Sequence, residues 1–179
     1  MSRLEPIALA SADAKSQPIF AALNAKLGFV PNMARVLAYS PAALDGYAKL
    51  NGALAGGSLN AKVREQLALA IAEANLCGYC LSAHSAIGAK VGLTTAEILA
   101  ARQGGAPDPK SDALVKFART VVLQKGEVSD ATLAQVRAAG ASDGEIVEVV
   151  ANVALNLLTN YVNHVARTPI DFPAVNPGS

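Results

Sequence analysis

The chain has 179 residues, enough for one domain with an ordinary core and too few for two. Fifteen Lys and Arg against fourteen Asp and Glu give a formal net charge of +1, and no stretch gathers basic residues, which argues against nucleic acid as a partner. Apolar residues make up 52% of the chain but aromatics only 4%, with no Trp, so Ala carries much of the apolar content and close-packed helices are expected.

In the first twenty residues Glu5 and Asp13 interrupt what a signal peptide would need as an unbroken apolar stretch, so the expectation is a cytoplasmic protein. Ser16, Pro18 and Gly28 mark the start and stop of a first helix. A short turn or helix ending near Ser40 follows, and Pro41 opens the next helix. After Gly56 and Gly57, Ser58 or Asn60 caps a helix whose Val63, Leu67, Ala70 or Ile71, and Ala74 keep helical spacing. The segment from Cys77 continues that helix or restarts it, and Gly92 ends it. Thr94 or Thr95 caps a short helix to about Arg102, and residues 103–112 form a loop with two Gly and two Pro.

Further on, Ser111 or Asp112 opens one helix and Ser129 or Asp130 another. Ser142, with Glu145 three residues later, is a capping box before a long helix that Pro169 ends. That helix is the most apolar stretch, but Glu145, Glu148 and several Asn argue against a membrane span. The tail from Thr168 should be extended and is useful only if it docks. No segment alternates as a strand does and no repeat occurs, so the expected architecture is all-α, a single multi-helix domain over residues 1–179.

Both cysteines and one of the two histidines fall within eight residues, as Cys77, Cys80 and His84. On a helix these steps of three and four place them within about 60° of one another, on one face. In a reducing compartment such a pair is catalytic, redox-sensing or metal-binding more often than a permanent staple. If a new helix begins at Cys77, its unpaired amides and dipole lower a thiol pKa from about 8.5. His84 needs a carboxylate to set its tautomer. Glu65 is the better candidate, because a turn near residues 75 to 77 would fold its helix back beside the cysteine helix, whereas Glu73 sits at the junction.

Three readings stand: a dithiol cycling through a disulfide, a metal site with Cys77, Cys80, His84 and Glu65 as ligands, or inert packing. Redox chemistry ranks first and metal second, since no second Cys or His cluster completes a familiar finger. Taken alone, Glu65 would be an exposed residue pairing with Lys62 or Arg64. Tyr79 suits packing or a lid better than acid catalysis, its ordinary pKa being about 10. Asn152, Asn156, Asn160, Asn163 and His164 form a polar stripe that could line a site, but is expected to hydrogen-bond across helices or a subunit interface. The arginines are spread along the chain, and none is singled out.

The pattern Glu65, eleven residues, Cys77-Gly-Tyr-Cys80, three residues, His84 resembles the signature of the alkylhydroperoxidase D branch of the carboxymuconolactone decarboxylase superfamily. The segments LGFVPNMARVLAYSPAAL and NYVNHVARTPIDFP are similar to the N-terminal part of these proteins and to the C-terminal end of their peroxidase-related subgroup. The resemblance implies an all-helical homo-oligomer, trimer or hexamer, with thiol peroxidase activity and no bound cofactor. It implies that Cys80 attacks the peroxide and becomes a sulfenic acid, and that Cys77 donates a proton and resolves it as a disulfide. Glu65 and His84 form the proton relay, and a lipoyl protein, thioredoxin-like protein or other dithiol restores the pair. Members often carry His where this chain has Tyr79. The order of roles runs against the helix dipole, which makes Cys77 the more acidic thiol. Two other functions follow less directly: a dithiol sensor or electron carrier without peroxidase activity, and lactone decarboxylation, which calls for acid, base and carboxylate-binding groups instead of a cysteine pair.

Overall fold

The structure is a computed structural model and describes residues 1–178. Among these there are nine α-helices, one 3-10 turn at Leu9–Ser11 and no strand, so the protein is all-α. The helices are α1 (Gln17–Leu27), α2 (Asn32–Leu37), α3 (Pro41–Ala55), α4 (Ala61–Ala74), α5 (Gly78–Lys90), α6 (Thr95–Arg102), α7 (Pro109–Leu123), α8 (Asp130–Ala138) and α9 (Asp143–Ala166). None is long and apolar enough to cross a membrane.

The centre is α4, where every residue from Gln66 to Ala72 is buried. A helix apolar on all sides must be surrounded, and α4 packs against α5, α6, α7 and α9. Its alanines let those neighbours come close. One core cluster joins Val63, Leu67 and Ile71 of α4 to Leu114 and Phe117 of α7 and Val149 of α9. A second holds Cys77, Tyr79, Cys80 and Leu81 with Leu69 of α4. The third, around Phe20, Val30 and Leu44, seats α1 to α3.

Caps fix most boundaries. Asn60, not Ser58, accepts from the Val63 N–H at 3.0 Å. Thr94, not Thr95, forms a capping box with Glu97, and Ser142 forms one with Glu145. Two expectations are corrected. The helix expected from Ser111 or Asp112 begins at Pro109, because Asp108 accepts from the Ser111 N–H at 2.9 Å and Pro suits the first turn. The last helix does end before Pro169, stopping at Ala166 with Arg167 left-handed at φ 51°, since the residue before a proline avoids the helical region. Ser16 stands before α1, but its buried hydroxyl has no partner and caps nothing. The tail docks. Val175 N–H donates to Ser82 Oγ at 2.9 Å, Gly178 N–H to Glu73 Oε1 at 2.5 Å, and Arg102 Nη2 to Asn176 O at 2.9 Å.

Candidate active site

The turn from α4 into α5 answers whether the cysteine segment continues or restarts a helix. Cys77 N–H bonds back to Ala72 O at 2.9 Å and Leu76 N–H to Glu73 O at 3.0 Å, closing α4 in the pattern that ordinarily places Gly at the left-handed position. Leu76 occupies that position at φ 54°, a strain of about 1 kcal/mol for a residue with a Cβ. The chain then restarts, with Cys77 as the N-cap of α5 and Cys80 one turn in. Both thiols are free and buried.

Their acidities diverge. Cys77 falls from its ordinary 9.0 to about 7, chiefly because the Cys80 thiol beside it favours its thiolate; burial opposes this, while the Cys80 amide and the His164 and His84 imidazoles assist. Cys80 moves the other way, raised above all by its neighbour Cys77 and then by burial. The carboxamides of Asn163 and Asn160 counter that rise, and Asn163 Nδ2 donates to Cys80 Sγ at 3.3 Å. The pair therefore releases its first proton near neutrality, with the charge favoured on the sulfur at the helix start.

Glu65 Oε2 lies 2.7 Å from His84 Nδ1, so α4 and α5 meet through this pair. Burial disfavours the imidazolium, yet the Glu65 charge and hydrogen bond outweigh it and hold the His84 pKa above 6.5. Glu65 thus pairs with neither Lys62 nor Arg64. Glu73 binds Arg102 Nε at 2.8 Å. Among the described residues no three His, Cys, Asp or Glu converge as a metal-binding group.

Cys80, His84, Glu65 and Tyr79 line one cavity of about 110 Å³; Cys77 does not reach it. Asn152, Asn156 and Asn163 of the polar stripe line it too, with the Asn152 and Asn156 amides donating to carbonyls one turn back in α9 at 2.8 and 2.9 Å. Asn160 accepts from Asn75 Nδ2 at 3.0 Å, and His164 Nε2 contacts Asn75 O at 2.9 Å. The stripe thus both lines the cavity and bonds across helices. Sequence reading missed Lys26, Tyr47, Asn51 and Arg64 on the same wall. Burial, then the charges of Glu65 and Cys80, pushes the Tyr47 hydroxyl up to about 12.

Tyr79 is committed to structure. Its hydroxyl donates to Asp171 Oδ1 at 2.8 Å and accepts from Met33 N–H at 3.1 Å, while its ring meets Phe172 edge-on at 6.0 Å. Burial above all raises its pKa, so the hydroxyl keeps its proton. Asp171 also accepts the Asn32 N–H at 2.7 Å, and Phe172 meets Phe29 edge-on at 5.3 Å. The tail thereby ties α2 to the dithiol helix.

Fold and site together define an all-helical protein with a reduced dithiol at a helix start beside a Glu–His pair. Residues 41–123, from the first residue of α3 to the last of α7, match the carboxymuconolactone decarboxylase family. An AhpD-core, peroxidase-related protein from Ralstonia eutropha JMP134 superposes with a TM-score of 0.86 at 26% identity over 95% of this chain and 92% of that one. A peroxidase-related protein from Silicibacter sp. TM1040 gives 0.80 at 22% over 93% and 91%. The debrominase Bmp8, in complex with 2,3,4-tribromopyrrole, gives 0.82 at 18% over 96% and 92%. No curated relative matches the chain in sequence. The chain thus carries a carboxymuconolactone decarboxylase match over residues 41–123 and shares its whole all-helical fold with AhpD-like, peroxidase-related proteins, the branch that its Glu65–Cys77–Cys80–His84 pattern resembles.

Proposed function

We propose that the protein is a thiol-dependent peroxidase that reduces organic hydroperoxides or hydrogen peroxide. The observation that carries this is the cavity wall where Cys80, His84 and Glu65 face one small space, with Cys77 directly behind Cys80. A peroxide entering there meets Cys80. Proton exchange with Cys77 leaves thiolate on Cys80, stabilised by the Asn163 amide. The thiolate attacks the distal peroxide oxygen, the O–O bond breaks, and sulfur becomes a sulfenic acid. The alkoxide takes a proton from the Glu65–His84 relay and leaves as the alcohol. Cys77, protonated in the exchange, returns that proton to the relay, and its thiolate attacks the sulfenic sulfur, expelling hydroxide that takes the proton as water and leaving a Cys77–Cys80 disulfide; solvent restores the proton the relay gave the alkoxide. An external dithiol, a lipoyl or thioredoxin-like protein among the candidates, returns two electrons and two protons by thiol–disulfide exchange.

The test is thiol titration before and after one equivalent of peroxide, with mass spectrometry to locate the product. Loss of two thiols and a Cys77–Cys80 link are expected, with no turnover by Cys80→Ser. Robust turnover by that variant overturns the assignment. Disulfide formation without catalytic peroxide loss under any dithiol donor would favour a sensor or electron carrier. The fold shared with a debrominase motivates one control, a brominated pyrrole offered as oxidant in place of peroxide.

We further propose a cytoplasmic homo-oligomer, trimer or hexamer. Supporting this, Leu158, Tyr161 and Val165 of α9 are exposed and line an apolar groove with Leu4 and Tyr39. Sedimentation showing only monomer at micromolar concentration would contradict it.

A further inference from the structure

The cavity holds more charge than the peroxidase steps use. Arg64, on α4 beside Glu65, and Lys26, at the end of α1, both line it. Arg64 Nε is buried and has no hydrogen-bond partner. Among the described residues neither cation forms an ion pair; the only carboxylate on the wall, Glu65, is engaged by His84. An unsatisfied buried guanidinium N–H is costly, and here the half-buried Arg64 side chain lines an open space with a second cation on the same wall. With Glu65 the one anionic side chain opposing Lys26 and Arg64, the wall is net positive. Asn51 and Tyr47 of α3 add polar groups on that wall.

We propose that Arg64 and Lys26 form an anion subsite, and that the substrate is accordingly a small hydroperoxide carrying a carboxylate. The carboxylate takes the guanidinium fork, which matches it geometrically. It anchors the molecule in a space small enough to bring the peroxide end to Cys80. Arg64 and Lys26 are positioning and specificity residues. The substrate class rests on the peroxidase reading above; the subsite itself does not.

Two measurements separate the two claims. Calorimetry compares 3-hydroxy-3-methylbutanoate, a product-like carboxylate, with its neutral amide; no turnover is involved. The carboxylate is expected to bind at least 10-fold tighter. That preference should collapse in Arg64→Gln with Lys26→Gln and return in part in Arg64→Lys, with thermal melts confirming that each variant is folded. Kinetics then compares 3-hydroperoxy-3-methylbutanoate with tert-butyl hydroperoxide, and kcat/KM is expected to favour the carboxylate at least 10-fold, mainly through KM. Equal affinity for carboxylate and amide, no detectable carboxylate binding at 10 mM, or a preference unchanged in the double variant would each overturn the subsite. Binding preference with turnover that ignores the carboxylate would overturn the substrate class. Binding preference without turnover of any hydroperoxide leaves the subsite standing and overturns the peroxidase reading instead.

Discussion

Glu65→Gln isolates the charge of the relay, since the amide oxygen can still accept from His84 Nδ1 but carries no charge. Two unit charges 2.7 Å apart attract by about 6 kcal/mol at an effective dielectric of about 20. Desolvation of the imidazolium consumes much of this, and a charge-assisted hydrogen bond nets about 1.5–3 kcal/mol. The His84 pKa should therefore fall once that contribution is removed. Because burial alone lowers it, the variant's value should cross from above 6.5 to below it. NMR titration reads this directly, the chain having only His84 and His164 to assign. A folded pKa raised above the unfolded one contributes stability that is present in full below about 6.5 and is lost as pH rises through the folded value. The stability gap between wild type and variant should therefore be wide at pH 6 and narrow by pH 8.5 in denaturant titrations. An unmoved His84 pKa, or a gap that grows with pH, would refute the reasoning.

Thiolate absorbance near 240 nm should rise through a pH of about 7, and Cys77→Ser should remove that step. After peroxide the same variant should hold Cys80 as a sulfenic acid, trapped by dimedone and seen by mass spectrometry. Asn163→Leu removes the donor 3.3 Å from Cys80 Sγ; peroxide-driven oxidation should slow about 10-fold or more, the worth of a hydrogen bond to a charged group. Phe172→Ala removes two edge-on ring contacts, at a cost of about 2–3 kcal/mol, and should lower Tm by about 5–10 °C in calorimetry.

Much of the architecture was legible because it is written locally. Ala-rich helical spacing gave the all-α class, and Ser142 with Glu145 announced a helix start by side-chain chemistry alone. The choice between Thr94 and Thr95 was also readable, since only Thr94 has a Glu three residues on. Asp108 was passed over because two prolines made the stretch look like loop, although Pro after Asp is itself a start signal. At the site, the Cys77, Cys80 and His84 grouping is a property of one helix, and Glu65 followed from a turn that the sequence located. Residues on other elements carried no such mark. Lys26, Tyr47 and Asn51 reach the cavity only through the packing of α1 and α3. Nor does any local signal make Asp171 the acceptor for Tyr79, a contact spanning ninety-two residues.

The two lines of sequence argument about the cysteines disagreed because they concern different properties. Negative charge rests on Cys77, at the helix start, chiefly because the Cys80 thiol beside it favours its thiolate. Access decides which sulfur a reagent touches, and only Cys80 lines the cavity. A pair with acidity on one member and cavity access on the other, close enough to exchange a proton, can hold thiolate ready near neutrality while the reactive sulfur stays protonated until substrate arrives. The Asn163 and Asn160 amides lessen the cost of moving charge onto Cys80. The order matters for the second step as well: once Cys80 is oxidised its thiolate is consumed, and Cys77, the more acidic thiol, gives up the proton it took and supplies the new thiolate that attacks. On this reading the inner sulfur is the resolving one because it is the more acidic, and the buried N-terminus of α5 serves resolution as much as attack.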